Sequence, residues 1–231
     1  MNILVTYADK NMTISKDKLI KSALANGIDY YDDVKLKGDF MEFNRDILNQ
    51  PRGAGYWLWK PYVLFKALSK AMPDDVIVYS DAGVEFVNDI RFLTGRVQNV
   101  FLFANAWNHK DWCKRRVFDY FDCREGNQVQ ASVILVRNTP FSRQFVKEWM
   151  LYCQLPGFID DVTGTHGDEY PQFKEHRHDQ AILCALQQRY NISLHWWPAM
   201  YNNGAFTYQR GDFKDDYPVI FHHHRKRDNE W

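Results

Sequence analysis

Asp74-Asp75-Val76-Ile77-Val78-Tyr79-Ser80-Asp81-Ala82-Gly83 is the stretch that decides the fold. A polar turn leads into a short apolar run, which ends on one carboxylate and two small residues. β-Branched and aromatic side chains suit a covered, pleated surface, so Val76 to Tyr79 read as a buried strand. Asp81 then stands just past the strand's carboxyl end, the edge at which open α/β sheets bind their ligands. Ala82 and Gly83 leave room for a bulky group to approach the main chain. By itself the segment reads first as a strand followed by an ordinary Asp-Ala-Gly turn, so the flanking chain has to decide whether it is more.

Upstream, Asn2 to Ala8 form an apolar strand that closes on Thr6-Tyr7-Ala8-Asp9. Leu19, Ile20, Ala23 and Leu24 fall at helical spacing between Lys16 and Asn26, and Gly27 is a natural stop. Ile28 to Tyr31 make a second strand. This β-α-β opening predicts the α/β class: a mostly parallel central sheet flanked by helices, Rossmann-like in its layers. Asn44 to Asn49 read as a short helix. Gln50-Pro-Arg-Gly-Ala-Gly-Tyr-Trp-Leu-Trp-Lys-Pro61 is a Gly-rich loop entering a helix, with Leu64, Ala67, Leu68 and Ala71 along one face. It is not a Walker loop, because G-x-x-x-x-G-K-[ST] is absent. Trp57 and Trp59 read as packing residues, and Arg52 and Lys60 as solvated or facing an anion.

Downstream, Phe86 to Gly95 predict a loop and a short helix, and Val100 to Ala104 a strand. Residues 105–128 carry no clean period and read as a long excursion. Ala131 to Val136 are a strand, and Pro140 begins a helix that buries Phe141, Phe145, Trp149 and Cys153. Leu155 to Arg177 hold Asp160, Asp161, His166, Asp168, Glu169 and His176 without H-E-x-x-H or EF-hand spacing. A mobile polar loop is the expectation there, not a metal cluster. His178-Asp179-Gln180 opens a helix to about Tyr190, with Asp179 in the first turn, where an acid suits the helix dipole. Ile192 to Trp196 and Pro218 to His222 are the last strands. With no repeat or linker in sight, residues 1–231 read as a single domain.

Composition narrows the function classes. The chain is 45% hydrophobic and 25% charged, which permits a sizeable core. Its 29 basic residues balance 29 acidic ones, so global charge gives no argument for nucleic acid. Aromatic residues reach 16%, which fits a ring-rich core or a groove for flat sugar or base faces. Cys113, Cys123, Cys153 and Cys184 form no C-x-x-C pair and read as free thiols in a reducing compartment. No basic-then-apolar leader and no bilayer-length apolar run is present, so a cytoplasmic protein without a transmembrane segment is expected, its Asn11 and Asn191 sequons unused. Arg210-Gly211-Asp212 reads as a surface turn.

Three elements carry candidate chemistry: Asp81 at a strand end, the triple histidine His222-His223-His224 at a late strand end, and Arg225-Lys226-Arg227 after it. In an extended segment His222 and His224 point to one side and His223 to the other. One carboxylate and one imidazole can hold a divalent ion such as Mn²⁺ while phosphates complete its sphere. The basic residues could neutralise a diphosphate.

Ile3-Leu-Val-Thr-Tyr-Ala8, Gly55-Tyr-Trp-Leu-Trp-Lys-Pro61, Val78-Tyr-Ser-Asp-Ala-Gly83, His178-Asp-Gln180 and the His-rich basic strand occur in an order that resembles GT-A-type nucleotide-diphospho-sugar glycosyltransferases. The likeness is to the small transferases of bacterial and large-virus glycan assembly, and it spans about residues 2–231. It implies a hexosyltransferase-type enzyme that moves a sugar from a nucleotide-sugar donor, a UDP-sugar in first place, to a glycan or glycoconjugate hydroxyl. It implies that Thr6, Tyr7 and Ala8 contact base and ribose, and that Arg52, Lys60, Tyr79, Ser80, Asp81, Ala82, Gly83 and Lys226 belong to the donor site. Asp81 would be the first acid of a D-x-D motif, and would hold Mn²⁺ or Mg²⁺ with His222 or His224. Asp179 would be an acid-base group or sugar anchor. Gly83 departs from that pattern, since D-x-D has its second acid there. Two other readings stay open. A sugar-nucleotidyltransferase would carry a Gly-rich basic loop where this chain has Tyr7-Ala8-Asp9-Lys10. A non-catalytic carbohydrate-binding relative is compatible with Gly83.

Overall fold

The computed structural model describes residues 1–164, 166–201 and 213–231; Arg210-Gly211-Asp212 lies outside them. The chain opens with β1 (Asn2–Val5), α1 (Thr13–Ala25) and β2 (Tyr30–Tyr31), then two short helices, α2 (Asp39–Phe43) and α3 (Arg45–Leu48). A single turn, α4 (Gly53–Tyr56), leads into α5 (Trp59–Lys70), β3 (Val76–Ser80), β4 (Val84–Phe86) and α6 (Arg91–Thr94). β5 (Val100–Asn108), α7 (Arg115–Tyr120), β6 (Asn127–Arg137), α8 (Pro140–Cys153) and α9 (His178–Arg189) follow, and then the short strands β7 (Leu194–His195), β8 (Ala199–Tyr201) and β9 (Phe221–His223).

Six strands build the central sheet in the order β2-β1-β3-β6-β5-β7. β1 runs parallel to both β2 and β3, and β5 parallel to β7, while β6 alone is antiparallel to its neighbours. The expected α/β architecture with a mostly parallel sheet is therefore present. Every side chain of β3 is buried, as its run of Val, Ile and Tyr requires of a central strand. Alternation splits them between two layers. Ile77 and Tyr79 pack with α5, α8 and α9, whereas Val76 and Val78 pack with α1, α6 and the small sheet.

That small sheet, ordered β4-β9-β8, decides where the functional residues meet. β4 follows Asp81 at once, and β9 pairs antiparallel to it, with Val84 opposite His223 and Glu85 opposite His222. The triple histidine thus lies beside the end of β3, although some 140 residues separate them in sequence.

Three expectations need correction. Residues 105–128 are not an excursion: β5 continues to Asn108, a 3-10 turn (His109–Trp112) and α7 follow, and β6 begins at Asn127. Register shifts between β5 and β6 break the alternation that would have betrayed the strands. The stretch 155–177 is irregular but tied down. Lys114 Nζ donates to Asp160 O and Oδ1, each at 2.8 Å, and Arg115 N donates to Glu169 Oε2 at 2.6 Å. In α8, Phe145, Trp149 and Cys153 are buried as expected, but Phe141 is 38% exposed. Trp149 is fully buried, and its truncation to alanine would cost about 3–5 kcal/mol.

Candidate functional site

A cavity of about 810 Å³ opens at the carboxyl ends of β1 and β3. Tyr7, Ala8 and Asp9 line it after β1, and Asp81, Ala82 and Gly83 after β3. Lys60 comes from the first turn of α5, Asp179 from the first turn of α9, and His223, Arg225 and Arg227 from β9 and the segment beyond it.

Lys60 is the pivot. It is 3% exposed; its Nζ donates to Ala131 O at 3.1 Å and lies 3.3 Å from Asp81 Oδ1 and 3.2 Å from Asp179 Oδ2. Burial alone would favour the neutral amine, but the two carboxylates outweigh it and hold Lys60 charged, above the usual lysine range. Tyr79 Oη donates to Asp81 Oδ1 at 2.5 Å, and burial and that carboxylate keep the phenol protonated. Burial, opposed by Lys60 and assisted by the charge of Asp81, pushes the Asp179 carboxyl up to about 6. An acid poised there suits proton transfer near neutral pH.

Two strained turns aim these groups. Gly53 to Trp57 all have positive φ, a left-handed turn that costs its non-glycine residues on the order of 1–2 kcal/mol each. Gln50 O and Arg52 O accept from Gly55 N and Tyr56 N, both at 2.8 Å, and Trp59 Nε1 donates to Gly53 O at 2.9 Å. Gly55 is obligatory, since a Cβ there would lie 2.6 Å from Leu48 Cα. The turn delivers Trp57 to the cavity and starts α5 so that Lys60 points inward. The second turn is at His178, whose φ of 46° lies in the left-handed region. Its Nδ1 meets Ile159 O at 2.7 Å and its ring stacks on Tyr56 at 4.8 Å, while Trp149 Nε1 donates to Asp179 O at 2.9 Å.

Of the residues expected in the donor site, Tyr7, Ala8, Arg52, Lys60, Asp81, Ala82, Gly83 and Asp179 line the cavity. Thr6, Tyr79 and Ser80 stand behind it. Thr6 and Ser80 are buried, and Ser80 Oγ donates to Asp81 O at 3.2 Å. Lys226 turns away, its Nζ 4.3 Å from the Trp231 ring centroid. His222 and His224 do not line the cavity either: His224 Nδ1 accepts from Lys226 N at 3.0 Å and its ring packs on Trp231. The opposite face of the strand carries His223 to the cavity, with Arg225 and Arg227 beyond it. The alternation was legible in the sequence, but which parity faces Asp81 depends on pairing with β4. Arg177, Gln180, Trp107 and Gln130 also line the site without having been singled out as binding residues. Arg177 lies over the stacked rings of Trp107 and Trp112, at 4.5 Å and 4.6 Å.

The residues present do not fit a divalent ion of the D-x-D kind. Among the described residues no group of three His, Cys, Asp or Glu side chains could hold a metal. Asp81 Oδ1 is already engaged by an ammonium and a phenol, so a divalent ion there would lie beside the Lys60 charge. His223 Nε2 accepts from Arg225 Nε at 3.2 Å, which makes Nδ1 the protonated nitrogen and leaves no free lone pair on the ring.

No family model and no curated protein matches the sequence. Solved structures do resemble it. Mouse xyloside xylosyltransferase 1 aligns at a TM-score of 0.50 and 12% identity, covering 100% of this chain and 99% of that one. The galactosyltransferase LgtC, in complex with donor and acceptor sugar analogues, aligns at 0.54 and 12%, covering 98% and 87%. The bifunctional glycosyltransferase WbbM aligns at 0.54 and 12%, covering 97% of this chain and 45% of that one. At such identities the likeness is one of architecture, and the architecture it identifies is the GT-A glycosyltransferase fold.

Proposed function

We propose that the protein transfers a glycosyl group from a nucleoside-diphosphate sugar to a glycan or glycoconjugate hydroxyl, with a UDP-sugar the first donor to test. The observation that carries this reading is the cavity at the β1 and β3 ends, where Lys60 bridges Asp81 and Asp179 and basic side chains face inward. Its volume of about 810 Å³ suits a nucleotide sugar with an acceptor hydroxyl beside it. The reading is supported by the general rule that open α/β sheets bind ligands beyond the carboxyl ends of their strands.

In this reading the nucleoside lies along Tyr7 and Ala8, with the Tyr7 ring steadied by Trp59 at 4.7 Å. The acceptor oxygen forms its bond to the anomeric carbon as the bond from that carbon to the phosphate oxygen breaks. The electron pair leaves with the nucleoside diphosphate, and the acceptor proton passes to Asp179. Charge grows on the leaving phosphate among cationic side chains already set around the cavity, which stabilise it without having to reorganise. Asp81 holds Lys60 in place opposite Asp179. With four free cysteines, three of them buried, we place the reaction in a reducing compartment, the cytoplasm.

The test is release of nucleoside diphosphate from UDP-, GDP- and dTDP-sugars. Asp81→Ala should abolish donor hydrolysis and transfer while leaving the circular dichroism spectrum unchanged. Full activity in that variant would overturn the assignment.

A further inference from the structure

Gly83 does not have positive φ, so backbone freedom does not explain it. Space does: a Cβ at Gly83 would lie 2.8 Å from Arg225 Cα and 3.2 Å from Arg225 N. These are main-chain atoms, locked in place because Arg225 N donates to Gly83 O at 3.0 Å. The position that a second acid would fill is therefore occupied by the backbone of an arginine whose side chain lines the cavity. Asp81 Oδ1 is already taken by the Lys60 ammonium at 3.3 Å and the Tyr79 phenol at 2.5 Å. That ammonium is buried and held from behind by Ala131 O and Asp179, so a divalent ion on Asp81 would sit against a fixed positive charge. His223, which reaches the cavity, spends its lone pair on Arg225.

The cavity's own charge points the same way. Among the described residues that line it, Arg52, Lys60, Arg177, Arg225 and Arg227 stand against Asp9, Asp81 and Asp179, five basic to three acidic, a net of +2 with histidines neutral. Arg52 and Arg177 are paired with Glu175, whereas Arg225 and Arg227 form no ion pair among the described residues.

We infer that this site neutralises the donor's diphosphate with resident cations, Arg225 and Arg227 in direct contact and Lys60 behind Asp81, and requires no divalent metal. The inference rests on the nucleotide-sugar reading above. Arginine presents a fork of donors that matches phosphate oxygens, and two such forks can span a diphosphate.

Binding of UDP, GDP, CDP and dTDP is measured by calorimetry in EDTA and again in Mn²⁺, so the readout is independent of turnover. At least one nucleotide should bind in EDTA, with a Kd within about threefold of its value in Mn²⁺. Arg225→Gln and Arg227→Gln should each weaken it tenfold or more with little change in melting temperature, and Arg227→Lys should lose less than Arg227→Gln. Binding that appears only with Mn²⁺ would overturn the metal-free inference and leave the glycosyl-transfer reading standing. No binding of any of the four under either condition would overturn both. Unchanged affinity in both glutamine variants would remove the arginines from the site.

Discussion

Replacing Lys60 by methionine keeps the aliphatic stem and deletes the ammonium. The wild-type side chain is 4% exposed and its partner Asp179 also 4%, so the variant leaves a buried carboxylate facing Asp81 with no intervening cation. Removing one member of a buried pair costs about 3–5 kcal/mol, because the remaining charge is stranded. For a chain of this size each kcal/mol moves the melting temperature by about 2–4 °C, so a fall of roughly 6–20 °C is expected. Part of the loss belongs to the stranded charge and not to the missing contact. Lys60→Met combined with Asp179→Asn should therefore recover at least half of it, since Asp81 is 28% exposed and can be solvated through the cavity. Urea and thermal melts of the wild type, both single variants and the double variant complete the cycle. A cost below about 1 kcal/mol for Lys60→Met, or a double variant no more stable than Lys60→Met alone, would refute the description of Lys60 as the electrostatic centre of the site.

Asp179 must be ionised to accept a proton, and its carboxyl sits at about 6. Transfer should fall about tenfold per pH unit below that point, and Asp179→Asn should lose 100-fold or more along with the pH-dependent limb, as initial-rate profiles would show. His109 is fully buried, neither ring nitrogen has a hydrogen-bond partner among the described residues, and burial drives its pKa down to about 3. The unfolded chain takes up that proton near pH 6.5 and the folded one does not, so stability is intact above 6.5 and is lost at about 1.4 kcal/mol per unit as pH falls toward 3. His109→Leu should flatten this acid limb in urea midpoints compared at pH 7 and pH 4.5. Gly83→Ala should cost about 1–3 kcal/mol by driving a methyl group into the Arg225 backbone, and it should weaken nucleotide binding in calorimetry.

Local pattern made part of this protein legible. The apolar run of β3, its closing Asp81, the β-α-β opening and the helix starts at Pro140 and His178 all follow from period, capping and turn chemistry. What escaped was long-range pairing. From local pattern alone Asp179 read as an ordinary helix-dipole acid and Lys60 as solvated or facing an anion; the family resemblance put both in the site, but nothing local joins residues 119 positions apart as a pair. The histidines show the same limit. Alternation divides His223 from His222 and His224, but only the β4–β9 register puts His223 toward Asp81. Gly83 was visible as a missing acid, and only the approach of Arg225 supplies the reason.

The central claim is that the cavity between the β1 and β3 ends binds a nucleoside diphosphate on its own cations. Its most direct test is a crystal structure of the protein grown with UDP in EDTA. The expected result places the base against Tyr7 and Ala8 and the diphosphate within hydrogen-bond reach of Arg225 and Arg227, with Lys60 still between Asp81 and Asp179. A diphosphate bound elsewhere, or one that enters this cavity only when a divalent ion bridges it to Asp81, would contradict the account.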